Sequence, residues 1–138
     1  MTTNEKVLYT GKTHTTGGRE GYSRSSDDRL EVKLSSPGGP GTGTNPEQLF
    51  AAGWSACFIG AMGSAARKMK IVLPADVAVD TEVDLISTDG EYSLAARLNV
   101  SLPGIPEDVA REIVDAAHQT CPYSKMSRGN IRAEINLV

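Results

Sequence analysis

The chain has 138 residues, of which 39% are apolar and 22% charged, with a formal net charge of −3. That is enough for one globular domain with its own core, and an acidic balance with no basic run argues against a nucleic-acid partner. The opening Met-Thr-Thr-Asn-Glu-Lys holds no apolar signal core, so a cytoplasmic protein with no membrane partner is expected.

Val7 to Thr16 reads as a polar strand that ends in Gly17-Gly18-Arg19-Glu20-Gly21. This turn places Arg19 on a glycine-flanked segment. Leu30, Val32 and Leu34 alternate with Glu31 and Lys33, the pattern of a short half-buried strand. Ser35 to Thr44 is rich in glycine and proline. It lacks both the Walker lysine and the dinucleotide-binding spacing, and so reads as a connector. Asn45 and Pro46 suit the cap and first position of a helix, and Glu47 suits its first turn, where the helix dipole favours negative charge.

That helix is predicted to run from Pro46 to about Lys70. No charge occurs between Glu47 and Arg67. A helix apolar nearly all round is expected to be buried nearly all round, and its Gly, Ser and Gln residues argue against a membrane span. Two alternating strands follow. Val77, Val79, Thr81, Val83 and Leu85 share one face, as do Tyr92, Leu94, Ala96, Leu98, Val100 and Leu102, with Asp89-Gly90 as the hairpin turn. Pro106-Glu107-Asp108 opens a second helix, on which Val109, Ile113, Ala116, Ala117 and Thr120 share a face. A short helical turn after Cys121 stops at Gly129, and Ile131, Ala133, Ile135 and Leu137 form a last strand. The order is βββ-α-ββ-α-α-β, an α+β chain with residues 1–138 forming a single domain.

Two residues carry the chemistry. Cys57 lies within the long helix and Cys121 at the end of the second, and they are the only cysteines. Taken singly, each reads as a small buried hydrophobe. Taken together, they read as a redox pair. A peroxide-reducing cysteine needs thiolate character, a cation or donors to hold that charge, and a second thiol to trap the sulfenic acid before it over-oxidises. Arg19 can serve as the cation, with Glu47 orienting it. The competing readings are a solvated loop charge for Arg19 and a dipole partner for Glu47. His118 beside Cys121 raises a zinc site, but there are too few ligands, so no metal is expected. A Cys57–His118 dyad lacks any hydrolase signature around either residue.

Asn45-Pro-Glu-Gln-Leu-Phe-Ala-Ala-Gly-Trp-Ser-Ala-Cys-Phe58 and His118-Gln-Thr-Cys-Pro-Tyr-Ser-Lys-Met-Ser-Arg-Gly-Asn130 resemble the two cysteine motifs of the organic hydroperoxide resistance (Ohr) branch of the OsmC/Ohr family. The resemblance extends over essentially the whole chain, including Tyr9-Thr-Gly and the Arg19 turn. Trp54 stands where tyrosine is expected, and Lys125-Met126 is an unusual filling of the second motif. The resemblance implies antiparallel sheets around two long helices in an intertwined homodimer. It also implies a thiol peroxidase that converts organic hydroperoxides, fatty-acid hydroperoxides among them, to alcohols. In that scheme Cys57 is peroxidatic and Cys121 resolving. Arg19 and Glu47 hold the thiolate, and a lipoyl dithiol of a lipoylated partner protein reduces the Cys57–Cys121 disulfide, with no cofactor bound. A non-catalytic redox sensor or a binder of small apolar ligands is the alternative.

Two further expectations come from the residues themselves. Leu49, Phe50, Trp54, Phe58, Met62 and Met126 supply apolar surface near the cysteine motifs and are expected to line a pocket for bulky organic ligands. Glu47 and Cys57 lie ten positions apart on one helix, so their backbones are separated by ~15 Å along its axis. Glu47 is therefore poorly placed to serve its own Cys57. Two such helices, antiparallel across a two-fold axis, would bring Glu47 of one chain to Cys57 of the other.

Overall fold

The computed structural model describes residues 4–138. The described chain separates into two compact units that meet in sequence between Pro46 and Glu47.

The amino-terminal unit is a three-stranded antiparallel sheet of β1 (Thr13–Thr16), β2 (Tyr22–Ser25) and β3 (Glu31–Lys33), in that order. A single 3-10 turn, Gly18–Glu20, joins β1 to β2 and carries Arg19. The expected strand from Val7 begins only at Thr13. The ladder starts there because β2 is four residues long and its last residue, Ser25, pairs with Thr13. Val7, Leu8 and Tyr9 lie outside it, exposed. The Glu20 carboxylate accepts the Ser36 N–H at 3.0 Å, which ties the first turn to the segment after β3.

The long helix α1 (Pro46–Lys68) opens at the start of the second unit. It ends two residues earlier than the periodicity suggests. Lys70 enters the left-handed region at φ 61°, and the Lys70 and Ile71 N–H groups donate to Arg67 O and Ala66 O at 3.0 and 2.8 Å. That is a Schellman closure with lysine in the place usually held by glycine. By length and composition α1 could cross a bilayer. Here it supplies Trp54, Phe58, Met62 and Ala66 to the core, a stripe at four-residue spacing.

The second sheet has the order β4-β5-β6, with β4 (Ala78–Thr88), β5 (Glu91–Ser101) and β6 (Arg132–Leu137). Asp89 and Gly90, both at positive φ, form the two-residue turn between β4 and β5. The expected antiparallel pairing holds for β1–β2, β2–β3 and β4–β5; the departure is β6, which runs parallel to β5, from Ala95↔Arg132 to Val100↔Leu137. The cause is the connection. Helices α2 (Glu107–Thr120) and α3 (Pro122–Ser127) fill the link from β5 to β6, and a crossover of that length returns the chain in the same direction.

Ala96, Leu98 and Val100 of β5 join the buried residues of α1 and α2 in one core. The opposite face of the sheet is polar, with Arg97 donating to both Asp84 oxygens at 2.8 Å and to Glu82 at 2.8 Å. The hairpin outruns its cover. Eleven residues of strand extend ~37 Å, whereas the buried run of α1 from Trp54 to Ala66 spans ~18 Å. Leu85 and Tyr92, expected on the packed face, are consequently exposed. On α2 the buried stripe is Ala110, Ile113, Val114 and Ala117. It is rotated slightly from the predicted face, which turns Ala116 and Thr120 outward.

Candidate functional site

Cys57 and Cys121, 64 positions apart in the chain, meet where α1 passes the junction of α2 and α3. Both are free thiols. The two sulfurs lie 3.3 Å apart. Cys121 is fully buried, while Cys57 remains partly exposed.

Local structure explains this arrangement. α2 stops at Thr120 because Pro122 cannot continue its hydrogen bonding. Cys121 takes an extended backbone, φ −63° and ψ 124°, and serves as the residue before α3. Its N–H donates to Ala117 O at 2.8 Å, and its carbonyl accepts the Lys125 N–H at 2.9 Å. The Tyr123 N–H, in the first turn of α3, is directed at the Cys57 sulfur. Three influences act on that thiol. Burial is the largest and pushes its pKa above the ordinary thiol value; the Tyr123 N–H opposes it, and the adjacent Cys121 thiol adds to the rise.

An aromatic and hydroxyl cluster joins the two cysteine-bearing segments. Phe50 lies 5.3 Å from Trp54 and stacks on Tyr123 at 5.9 Å, measured between ring centroids. Trp54 Nε1–H donates to Ser124 Oγ at 3.2 Å, and the Ser127 hydroxyl donates to Ser124 O at 2.8 Å. Gly53 makes the close approach possible, since a Cβ there would stand 2.8 Å from the Tyr123 hydroxyl. Ser55 bonds Thr81 of β4 at 2.7 Å, holding α1 to the sheet two residues before Cys57.

Cys57 opens onto a cleft of about 380 Å³. One wall is a stripe of α1 at helical spacing: Cys57, Gly60, Ala61, Ser64, Ala65 and Lys68. The facing wall is Ala116, Thr120 and Pro122. The expected pocket residues are placed differently. Trp54, Phe58 and Met62 are completely enclosed in the core and line none of this cleft. Their four-residue spacing sets them on the neighbouring stripe of α1, turned toward the sheet. Leu49 and Phe50 are half-buried, and Met126 is exposed on α3. Tyr123, Ser124 and the small residues of the cleft wall were not singled out from the sequence. The signal for the last was available: small side chains recur at three and four residues from Cys57.

The remaining site residues are distributed as follows. Arg19 lies in the amino-terminal unit, on its 3-10 turn. Glu47 lies in the first turn of α1, ~15 Å along the helix from Cys57. Nδ1 of His118 is buried and has no hydrogen-bond partner among the described residues, and burial together with the Arg128 charge holds that imidazole below its ordinary pKa. Among the described residues, no three His, Cys, Asp or Glu side chains converge as a metal site.

Comparison with known proteins bears on this geometry. A family model described as OsmC-like protein matches residues 39–136. The organic hydroperoxide resistance protein of Xanthomonas axonopodis pv. citri is 47% identical over 99% of this chain and 99% of its own length. The crystal structure of the organic hydroperoxide resistance protein OhrB of Bacillus subtilis superposes with a TM-score of 0.90 at 38% identity, covering 96% of this chain and 100% of that one. An organic hydroperoxide resistance protein from Legionella pneumophila gives a TM-score of 0.89 at 39% identity, covering 96% and 98%.

Proposed function

This chain belongs to the OsmC/Ohr family, and from that premise we propose that it confers organic hydroperoxide resistance as a cysteine-based peroxidase. The observation that carries the reading is the pair of reduced sulfurs 3.3 Å apart, one exposed to a cleft and one buried. The exposed thiol meets the peroxide, and the buried one is sheltered until a sulfenic acid forms beside it.

The Cys57 thiolate attacks the distal oxygen of ROOH and the O–O bond breaks. RO⁻ takes up a proton and leaves as the alcohol, and Cys57 becomes the sulfenic acid. The Cys121 thiolate then attacks the Cys57 sulfur. An S–S bond forms, the S–O bond breaks, and hydroxide leaves with the proton released by Cys121, as water. The sulfurs must close by about 1.3 Å to reach disulfide length. An external dithiol, which we assign to a lipoyl group on a partner protein, reduces the bond by exchange and is itself oxidised to a disulfide.

Burial and the Cys121 thiol oppose ionisation of Cys57, so the first step calls for a cation. We assign this role to Arg19, oriented by Glu47. The ~15 Å between Glu47 and its own Cys57 supports a homodimer in which the partner subunit supplies the carboxylate. The uncharged outer stripe of α1, at Ala52, Ala56, Gly60 and Ser64, supports the same arrangement.

The test is a coupled assay with dihydrolipoamide and cumene hydroperoxide. Turnover that requires both cysteines is expected. Peroxide consumption at the uncatalysed rate, with the disulfide still forming, would overturn the enzyme reading in favour of a redox sensor.

A further inference from the structure

We propose that Arg128 is a positioning residue for closure of the Cys57–Cys121 bond, acting through α3. Its importance to turnover rests on the peroxidase reading; its geometry does not. The last four carbonyls of a helix have no partner within it. At the end of α2, Ala117 O takes the Cys121 N–H at 2.8 Å. His118 O and Gln119 O are taken by one side chain, with Arg128 Nη1 donating to the first at 2.6 Å and Nη2 to the second at 3.3 Å. The same residue closes α3, because its backbone N–H donates to Ser124 O at 3.2 Å. Arg128 therefore joins the end of α3 to the end of α2 across the segment between them, and Cys121 is the first residue of that segment.

The Cys121 sulfur, 3.3 Å from Cys57 Sγ, is carried there and held by backbone position. The α1 side of α3 is fixed by the Trp54–Ser124 hydrogen bond, and the α2 side by the Arg128 fork. An arginine suits this task because its planar guanidinium reaches two adjacent carbonyls at once, whereas lysine is a point donor. Without the fork, the turn from Cys121 to Ser127 keeps its fold on one flank only. The fraction of time Cys121 stands within reach of Cys57 then falls.

The experiment separates the two chemical steps in Arg128→Ala and Arg128→Lys. Oxidation of Cys57 to sulfenate, measured by single-turnover loss of cumene hydroperoxide in a Cys121→Ser background, should remain within twofold of the parent. Disulfide formation, followed by mass spectrometry after peroxide is added, should slow about tenfold in Arg128→Ala, because the two bonds lost are exposed and weaker than buried charge-assisted ones. Cys57 sulfinic acid should accumulate in its place, and Arg128→Lys should recover part of the rate. A second arm oxidises the dithiol with diamide, which needs no peroxide; the thiolate adds to the azo bond, the other thiol displaces it, and the reagent leaves as the hydrazine. The same slowing is expected. Closure at the wild-type rate in the diamide arm overturns the inference, as does an equal fall in both peroxide steps. A wild-type protein that closes its disulfide with diamide but is inert to peroxide overturns the peroxidase reading instead, and the diamide comparison still decides the role of Arg128.

Discussion

Helices α1 and α2 contribute to one core, yet their outer faces differ in kind. α2 turns Ala110, Ile113, Val114 and Ala117 inward and carries Arg111, Glu112 and Asp115 outside. That is the pattern of a helix that ends at solvent. α1 turns Trp54, Phe58, Met62 and Ala66 inward, but its exposed stripe is Ala52, Ala56, Gly60 and Ser64, with no charge before Arg67. A surface meant for water has no need to exclude charge over five turns. The difference supports the proposed homodimer, in which the partner would cover the second face of α1, and the cleft carrying Cys57 opens beside that face. The helices also divide the two thiols, since Cys57 lies mid-helix at the cleft and Cys121 is buried at the exit from α2.

The largest effects should come from breaking that division. Cys57→Ser is expected to abolish reaction with peroxide. Cys121→Ser should still consume one equivalent and then drive Cys57 to the sulfinic acid. Mass spectrometry of the treated variants reads both outcomes, and sulfinic acid appearing first on Cys121 of the wild type would reverse the roles. Next in size is a charge on each outer face. Ala56→Glu on α1 should cost about 3 kcal/mol and dissociate the proposed dimer, because it buries an unpaired carboxylate. Glu112→Ala on α2 should stay within about 0.5 kcal/mol, as exposed substitutions do. Thermal melts and sedimentation make the comparison. An Ala56→Glu protein that melts and sediments like the wild type would mean that α1 faces water after all.

How much of this was legible beforehand also differs between the two helices. The boundaries and buried side of α2 follow from strong amphipathicity, with a small rotation of the stripe. On α1 the apolar composition is nearly uniform, so it signalled burial without saying which stripe meets the chain's own sheet. That is why Trp54, Phe58 and Met62 were expected in a ligand pocket and are found in the core. The parallel pairing of β6 was hidden because alternation reveals a strand's faces but not its direction. The two cysteines were legible as motifs. Their 3.3 Å approach was not, because it depends on the Pro122 break and on the way α3 is held. The contact between Trp54 and Ser124 spans 70 positions, beyond the reach of any local pattern.

Smaller effects sharpen how the helices are tied together. Trp54→Phe keeps an aromatic ring but removes the donor to Ser124 Oγ, which is fully buried. A cost of about 2 kcal/mol is expected, from the lost bond and the smaller ring. Chemical denaturation measures it, and a change under 0.5 kcal/mol would mean that the indole N–H contributes nothing. Cys121→Ala tests the thiol pair by pH. The Cys121 contact raises the Cys57 pKa, so its removal should lower the midpoint of Cys57 alkylation. Because the thiolate is the reacting form, alkylation at a fixed pH below the midpoint should become faster. A midpoint that stays in place or rises contradicts the assigned cause.

The smallest expected effect bears most directly on the second face of α1. Gly60 lies on the outer stripe, and a Cβ built there meets nothing within 4 Å in this chain. On a solvent-facing helix, Gly→Ala stabilises by about 1 kcal/mol, because alanine gives up less conformational entropy on folding. A domain of this size would register that as a rise in Tm of a few degrees. Beneath a closely packed partner helix the added methyl instead meets the neighbouring backbone, and overpacking of this kind costs about 1–3 kcal/mol. The homodimer proposal therefore predicts the opposite sign to helix propensity: Gly60→Ala should lower Tm and raise the dimer dissociation constant. Gly104→Ala cannot serve as the control, since Gly104 sits at φ 82°, where alanine is strained. Gln119→Ala, exposed near the end of α2, is suitable and should show the ordinary small gain. If Gly60→Ala rises in Tm alongside it, the outer face of α1 is open to solvent, and the shared active site fails with it.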